Sequence, residues 1–334
     1  MKKFFKRFFI TVFCLLLAAA VTVGGIFLAG QLKIQANASR YTLSTEKSVG
    51  KDKLHFLNTG ASDCIIIESN GHFGMVDCAE DNDYPADKPK VAFKGYEDVV
   101  LNYLKKNCRG ADGKITLDFV LGTHAHSDHM GGFDTIINDP EVVVKYAYVR
   151  KYDASIIRTK EVREWDNQEV YDQMMQALTN KGAEIIQDLA DVEFTLGDFR
   201  IKLFNGETDT KHKFIGENDN SVICKITKNG MSAVLSGDMN DLTGDESRLA
   251  KQIGKVDLLK PGHHGYVASS TPKYVRTLHP EIVVSTNTIK KMYPDVRFNF
   301  GVLSDSSVYG TVDENGIIAE FTDDNGIQLY KNIM

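Results

Sequence analysis

The stretch Thr123-His124-Ala125-His126-Ser127-Asp128-His129-Met130-Gly131-Gly132 constrains this chain more than any other. It follows Leu117-Asp118-Phe119-Val120-Leu121, an apolar run short enough to be a buried strand, so the histidines emerge where that strand ends. Residues two apart in an extended segment point the same way, and His124 and His126 can therefore offer imidazoles to one metal ion. Asp128 and His129 follow where the chain turns, and Gly131-Gly132 let the backbone pass close to a charged centre before a helix begins near Met130. Polar and ionisable groups gathered in so apolar a setting are costly to desolvate unless something satisfies them, and a divalent cation does so directly. A solvated histidine-rich loop is the bland alternative. The strand before it and the glycines after it favour a metal loop.

Two later stretches repeat the pattern. His263 and His264 lie in Asp257-Leu258-Leu259-Lys260-Pro261-Gly262-His263-His264-Gly265, again an apolar run followed by a glycine-flanked loop, and Leu235-Ser236-Gly237-Asp238 is a strand ending in an acid. Three strand ends that deliver His and Asp to one edge are what a two-metal site requires.

The metal loop resembles the signature of the metallo-β-lactamase superfamily, which implies an αββα sandwich with a one- or two-metal hydrolytic site at the strand ends. By that resemblance Asp238 bridges both metals, His124 and His126 serve one, and Asp128, His129 and a late histidine serve the other. Similarity to the phosphorylcholine esterase catalytic module favours His264 as that ligand and leaves His263 for substrate contact or a place behind the ligands. Asp77, at the end of a strand, occupies the position of an aspartate that buttresses the metal loop; a strand-terminal turn residue is the equal alternative. Many members add a further histidine to the first metal, and the only one in that span is His212, in a charged loop unsuited to burial. Glu217-Asn218-Asp219-Asn220-Ser221 fits the place better, with Asn220 expected behind the ligands, so that metal would be held less tightly or keep an extra water. Asp128, Asp238 and His263 are the expected catalytic residues. Two divalent ions lower the pKa of a bridging water towards ~7, and no Ser or Cys nucleophile motif competes with water attack. His/Asp sites suit zinc, with manganese or iron as competitors.

The N-terminus sets the compartment. Lys2, Lys3, Lys6 and Arg7 form a basic leader (1–7) before an uncharged apolar stretch, 8–30, long enough for the roughly 20 residues of a spanning helix. The positive-inside bias leaves everything after Gly30 outside the cytoplasm. Ala36-Asn37-Ala38 would serve a signal peptidase, in which case the protein is secreted, but the apolar core exceeds the roughly 7–15 residues usual there, so an uncleaved anchor is the preferred reading. Residues 31–51 are polar and unpatterned and read as a linker, with one hydrolase domain over 52–334. Beyond Ser39 the chain has 34 basic against 45 acidic residues, a formal −11, which disfavours tight binding of nucleic acid without excluding it.

Cys64, Cys78, Cys108 and Cys224 lie in the exported part. A two-residue Asn70-Gly71 turn would set Cys64 opposite Asp77 and turn Cys78 to the other face, so these cysteines read as buried apolar residues. Strand patterning is expected at 54–58, at 64–77 folded on Asn70-Gly71, at 192–204, at 222–235 folded on Asn229-Gly230, and at 317–330 folded on Asp324-Asn325-Gly326. Helices are expected over 96–107, 160–181 with Gly182 as its cap, and 271–278, with the methionines and Trp165 of the second packing into the core.

Two branches of the superfamily resemble the exported part. The closer is the phosphorylcholine esterase module, through Lys53-Leu54-His55-Phe56-Leu57-Asn58, Ile67-Glu68-Ser69-Asn70-Gly71-His72-Phe73, the metal loop, Trp165-Asp166-Asn167 and Gly254-Lys255-Val256-Asp257-Leu258. The other is the hydrolase domain of ComEC-type competence proteins, through Leu259-Lys260 and His263-His264-Gly265, although Tyr266 stands where that pattern has serine. The resemblances imply a phosphodiesterase acting on envelope polymers or lipids, or alternatively an extracellular DNA nuclease. A metal-stabilised surface binding module without turnover is the third reading.

Overall fold

The computed structural model describes residues 2–207 and 216–334; His212 lies outside them. Strands β1 (Asp52–Phe56), β2 (Ile65–Ser69), β3 (His72–Val76), β4 (Ile115–Gly122), β5 (Val142–Val149) and β6 (Glu184–Ile186) form most of a first sheet. A second sheet contains β7 (Glu193–Leu196), β8 (Phe199–Phe204), β9 (Ile223–Lys228), β10 (Met231–Leu235), β11 (Leu258–Lys260), β12 (Ile282–Ser285) and β13 (Ser307–Gly310). β14 (Ile317–Phe321) and β15 (Ile327–Lys331) return to the first, giving orders β15-β14-β1-β2-β3-β4-β5-β6 and β13-β12-β11-β10-β9-β8-β7. Each sheet is antiparallel in one half and parallel in the other, with β3 to β6 parallel in the first and β10 to β13 in the second.

Alternation along the strands builds the layers. Ile65 and Ile67 face the space between the sheets while Ile66 faces away, and Phe119 and Leu121 face in while Val120 faces out. The inner residues meet Phe199, Ile201, Leu203 and Leu235 of the second sheet. Both outer faces are covered, which is why the central strands are buried throughout rather than half polar. α1 (Lys2–Asn37) leads the chain. On the first sheet lie α2 (Glu97–Asn107), the single turn α3 (Ser127–Met130), α4 (Phe133–Asn138), α5 (Thr159–Glu164) and α6 (Asn167–Lys181). α7 (Asp245–Ile253), α8 (Pro272–Leu278) and α9 (Pro294–Phe298) cover the second, so the expected αββα sandwich, an α/β sandwich like the metallo-β-lactamase fold, is the architecture.

The three expected hairpins form in register: Ser69 pairs with His72 across Asn70-Gly71, Lys228 with Met231 across Asn229-Gly230, and Phe321 with Ile327. The four cysteines of the sandwich are buried and unbridged. Gly182, at φ 70°, caps α6.

Three expectations need correction. The helix over 160–181 is two helices, because Trp165 is extended (φ −116°, ψ 160°) and breaks the turn between α5 and α6. Trp165 is not core packing: it stacks on His126 with ring centroids 5.2 Å apart. Residues 31–51 are not a free linker. α1 runs on to Asn37 and from Gly30 onward buries one face, Gly30, Ile34 and Asn37 at helical spacing, against α9 and the following π-turn Asn299–Leu303. Asn37 then donates to the Ser306 carbonyl (3.1 Å), Lys33 and Arg40 pair with Asp305, and Leu43 packs against the inter-sheet core.

Candidate metal centre

The carboxyl ends of the parallel strands meet at one edge of the sandwich. β3 ends at Asp77, β4 leads into Thr123 and His124, β10 into Asp238, β11 into His263 and His264, and β12 into Thr286, while Asp63 sits just before β2. Two constellations result, Asp128 with His129, Asp238 and His264, and His124 with His126 and Asp238. Every ligand expected from the sequence therefore lies in one or the other, with Asp238 shared.

Hydrogen bonds on the outside fix which atoms face inward. The Thr123 hydroxyl donates to Asp77 Oδ2 (2.8 Å), so its lone pair receives His124 Nδ1–H (3.1 Å) and Nε2 of His124 is left as the acceptor. His129 Nδ1–H donates to Asp77 Oδ2 (2.7 Å). Thr286 donates to Asp63 (2.5 Å) and accepts from His264 Nδ1–H (3.0 Å), and His126 is the reverse tautomer, giving Nε2–H to Glu161 Oε1 (3.1 Å). Such backing of each ring is the usual support of a metal-ligating histidine.

With the rings neutral, the inward atoms are acceptors facing acceptors. His124 Nε2 and His126 Nδ1 stand 3.1 Å apart. His129 Nε2 is 3.1 Å from Asp238 Oδ1, and His264 Nε2 is 3.4 Å from the same oxygen and 3.2 Å from Asp128 Oδ2. Donors bound to one tetrahedral ion at about 2.0–2.1 Å are about 3.3–3.4 Å from one another, so these spacings fit divalent ions. His129 Nε2 and Asp238 Oδ1 are buried and have no hydrogen-bond partner among the described residues, which is the remaining mark of a cation-shaped need.

Charge in the centre agrees. Burial opposes a proton on His129, but Asp238, Asp77, Asp128 and Asp63 outweigh it and push its pKa well above the ordinary value. The same balance, with Asp238 and Asp63 as the main carboxylates, lifts His264 to about 9. Burial disfavours the Asp238 carboxylate too, yet His264, His129 and His263 hold its pKa well below the usual range. His124 is pushed well below its ordinary value by burial and by His129 and His126, and so is neutral, as a ligand must be.

Several residues of the site were not found from sequence. Lys260 is fully buried; its ammonium pairs with Asp63, donates to the Gly237 carbonyl (2.7 Å) and lies 3.8 Å from Asp238 Oδ1. A third grouping, Asp63 with Asp77 and His129, is thus already supplied with a cation. Glu161 also accepts from the Glu217 amide (2.8 Å), and Glu217 in turn accepts from the Ala125 amide (3.1 Å), forming a carboxylate belt behind the His124-Ala125-His126 turn. Asn220 is one step further back and donates to Glu217 Oε2 (2.9 Å) rather than to a ligand. A charge at the end of an apolar run was the available signal for Lys260, and one just before Cys64-Ile65-Ile66-Ile67 for Asp63.

His263 and His264 take opposite places although adjacent. Both are left-handed, at φ 49° and 51°, a conformation costing roughly 1–2 kcal/mol per non-glycine residue, and the tight curl sends His264 inward while His263 stays at the mouth. His263 Nε2 is 3.9 Å from Asp238 Oδ2 and its side chain is 29% exposed.

The fold and the site together define an α/β sandwich of metallo-β-lactamase type with a candidate two-ion centre. No protein-family model matches the chain. Among curated proteins, 174 residues (52% of this chain, 20% of the relative) are 25% identical to ComE operon protein 3 of Bacillus subtilis strain 168. A further match, over 185 residues (55% and 22%), is 23% identical to Competence protein ComA of Neisseria gonorrhoeae. The chain spans about a fifth of the length of these curated relatives. Among solved structures, the metallo-β-lactamase fold protein YhfI of Bacillus subtilis is similar at 14% identity and TM-score 0.47, over 77% of this chain and 95% of that one. Tm1679, a metal-dependent hydrolase of the β-lactamase superfamily, is similar at 14% identity and TM-score 0.48, over 81% and 100%.

Proposed function

We propose that this protein is a membrane-anchored, extracytoplasmic, metal-dependent phosphodiesterase acting on phosphorylcholine-like or other phosphodiester substituents of envelope polymers or lipids. The observation that carries the metal-dependent part is the convergence of inward acceptors on Asp238, each histidine held from behind. His124, His126 and Asp238 would hold one divalent ion, and Asp128, His129, His264 and Asp238 the other. When bound, such a pair supplies Lewis acidity to a phosphoryl oxygen and an activated water. The chain's own residues orient the donors, and His263, at the mouth beside Asp238, is placed to meet the substrate or pass a proton to the leaving group. The phosphorylcholine preference rests on the motifs shared with the esterase module.

Release of p-nitrophenol from p-nitrophenyl phosphorylcholine by the zinc- or manganese-loaded protein, abolished in Asp238→Ala and His264→Ala, is expected. No turnover with both ions in place would overturn the reading. The competence-protein relatives favour a second one, an extracellular nuclease, for which degradation of single-stranded DNA under the same conditions is the test. The formal −11 of the chain beyond Ser39 weighs against it.

A further inference from the structure

The route from α1 to the centre is short and stiff. Gly30 lies against the backbone of Phe298, where a Cβ would stand 2.7 Å from the Phe298 Cα, and a Cβ on Gly301 would stand 2.9 Å from the Gly30 carbonyl oxygen. The two backbones therefore touch at the point where the uncharged stretch 8–30 ends. From Phe298, α9 runs back to Tyr293, whose amide donates to the Gly265 carbonyl (2.9 Å) and whose ring meets Tyr266 (centroids 6.2 Å). Gly265 directly follows His264. Five residues of helix at about 1.5 Å each thus separate the anchor contact from the metal loop, on the order of 8 Å along the axis.

The surface along this route carries exposed apolar residues. Val267, Tyr293 and Val302 are large apolar residues, 51%, 42% and 40% exposed, on the loop after His264, at the start of α9 and in the π-turn that grips α1. Leu242, 62% exposed, joins them, since the neighbouring Asp241 amide donates to the Ala268 carbonyl. Lys290, Lys291 and Arg297 lie in the same segment with Asp295 alone as its acid, and Lys33 and Arg40 pair with Asp305. Apolar and aromatic tips among cations, continuous with an apolar helix, match the layered chemistry of an anionic bilayer surface.

We infer that the mouth of the centre is held at the bilayer interface by the docked α1 and takes its phosphodiester from a lipid in the membrane, with Val267, Tyr293 and Val302 dipping among the headgroups. This rests on the phosphodiesterase reading and on α1 as an anchor, and it narrows the substrate to bilayer lipid. Free rotation about a linker is ruled out by the docking of Gly30, Ile34 and Asn37, so the mouth keeps one height and one aspect.

The experiment uses the full chain in vesicles of phosphatidylglycerol and phosphatidylcholine. In one arm, Val267→Cys in a Cys14→Ala background carries an environment-sensitive fluorophore, and quenching by lipids with a nitroxide near the headgroup is expected. Absence of quenching overturns the placement whatever the activity. In the other arm, release of phosphorylated headgroup from the vesicles is compared with hydrolysis of soluble p-nitrophenyl phosphorylcholine. Val302→Asp with Tyr293→Ser is expected to lower the vesicle rate at least tenfold and leave the soluble rate unchanged. Soluble turnover without vesicle turnover, or an equal fall in both rates, overturns the lipid substrate and leaves the phosphodiesterase reading standing. Quenching without turnover of either ester overturns the phosphodiesterase reading and, with it, the lipid substrate, while the placement stands.

Discussion

The two halves of the centre are built unequally. On one side Asp128, His129, His264 and Asp238 bring four protein atoms together, with the rings of His129 and His264 backed by Asp77 and Thr286. On the other, among the described residues, His124 and His126 have only the shared Asp238, and support comes from behind, from Glu161 and Glu217. Four protein donors close a tetrahedral site, whereas three leave a position for water or substrate. The lean half is therefore where exchange and chemistry are expected, and the full half is where an ion would be held more firmly.

Removing the shared residue should abolish the distinction. Asp238→Ala is expected to strip both ions and lower turnover about a thousandfold or more, with the far-ultraviolet circular dichroism unchanged; retention of one tightly held ion would break the comparison. Lys260→Met comes next and acts on stability, since it takes the ammonium away from the buried Asp63 carboxylate beside the full half and leaves Thr286 as its hydrogen-bond donor. A loss of about 3–5 kcal/mol is expected in urea unfolding, and a neutral result would mean Asp63 is satisfied in another way. Glu161→Gln sharpens the contrast by touching only the lean half: metal affinity there should fall about 10–100-fold by competition with a chelating dye, with the second ion unmoved. The smallest effect is expected of Ser221→Ala. Its hydroxyl donates to nothing in the full half but receives the Asp238 amide (3.0 Å), and a change of about 1 kcal/mol in thermal unfolding is the anticipated size.

Sequence legibility followed covalent distance. The metal loop could be read because its four candidate ligands fall within six residues and the strand before them is continuous, and the hairpins because Asn-Gly turns set register locally. Strand-end patterns marked Asp238 and His264, which the fold then brings to the loop from more than a hundred residues away. Glu161 was illegible for the opposite reason. It lies in a short helix whose pattern runs on into α6, and only the extended Trp165 between them reveals that the helix breaks to back His126. The segment 31–51 misled because its docking residues, Ile34, Asn37 and Leu43, are sparse among polar neighbours, and the close backbone contact is made by Gly30 just before it.

The unequal pair of sites is tested most directly by anomalous diffraction from crystals of the metal-loaded protein, before and after brief exposure to a chelator. Two peaks about 3.5–4 Å apart with Asp238 between them are expected, with the peak at His124 and His126 fading first. A single peak, or earlier loss of the ion at His129 and His264, would contradict the account.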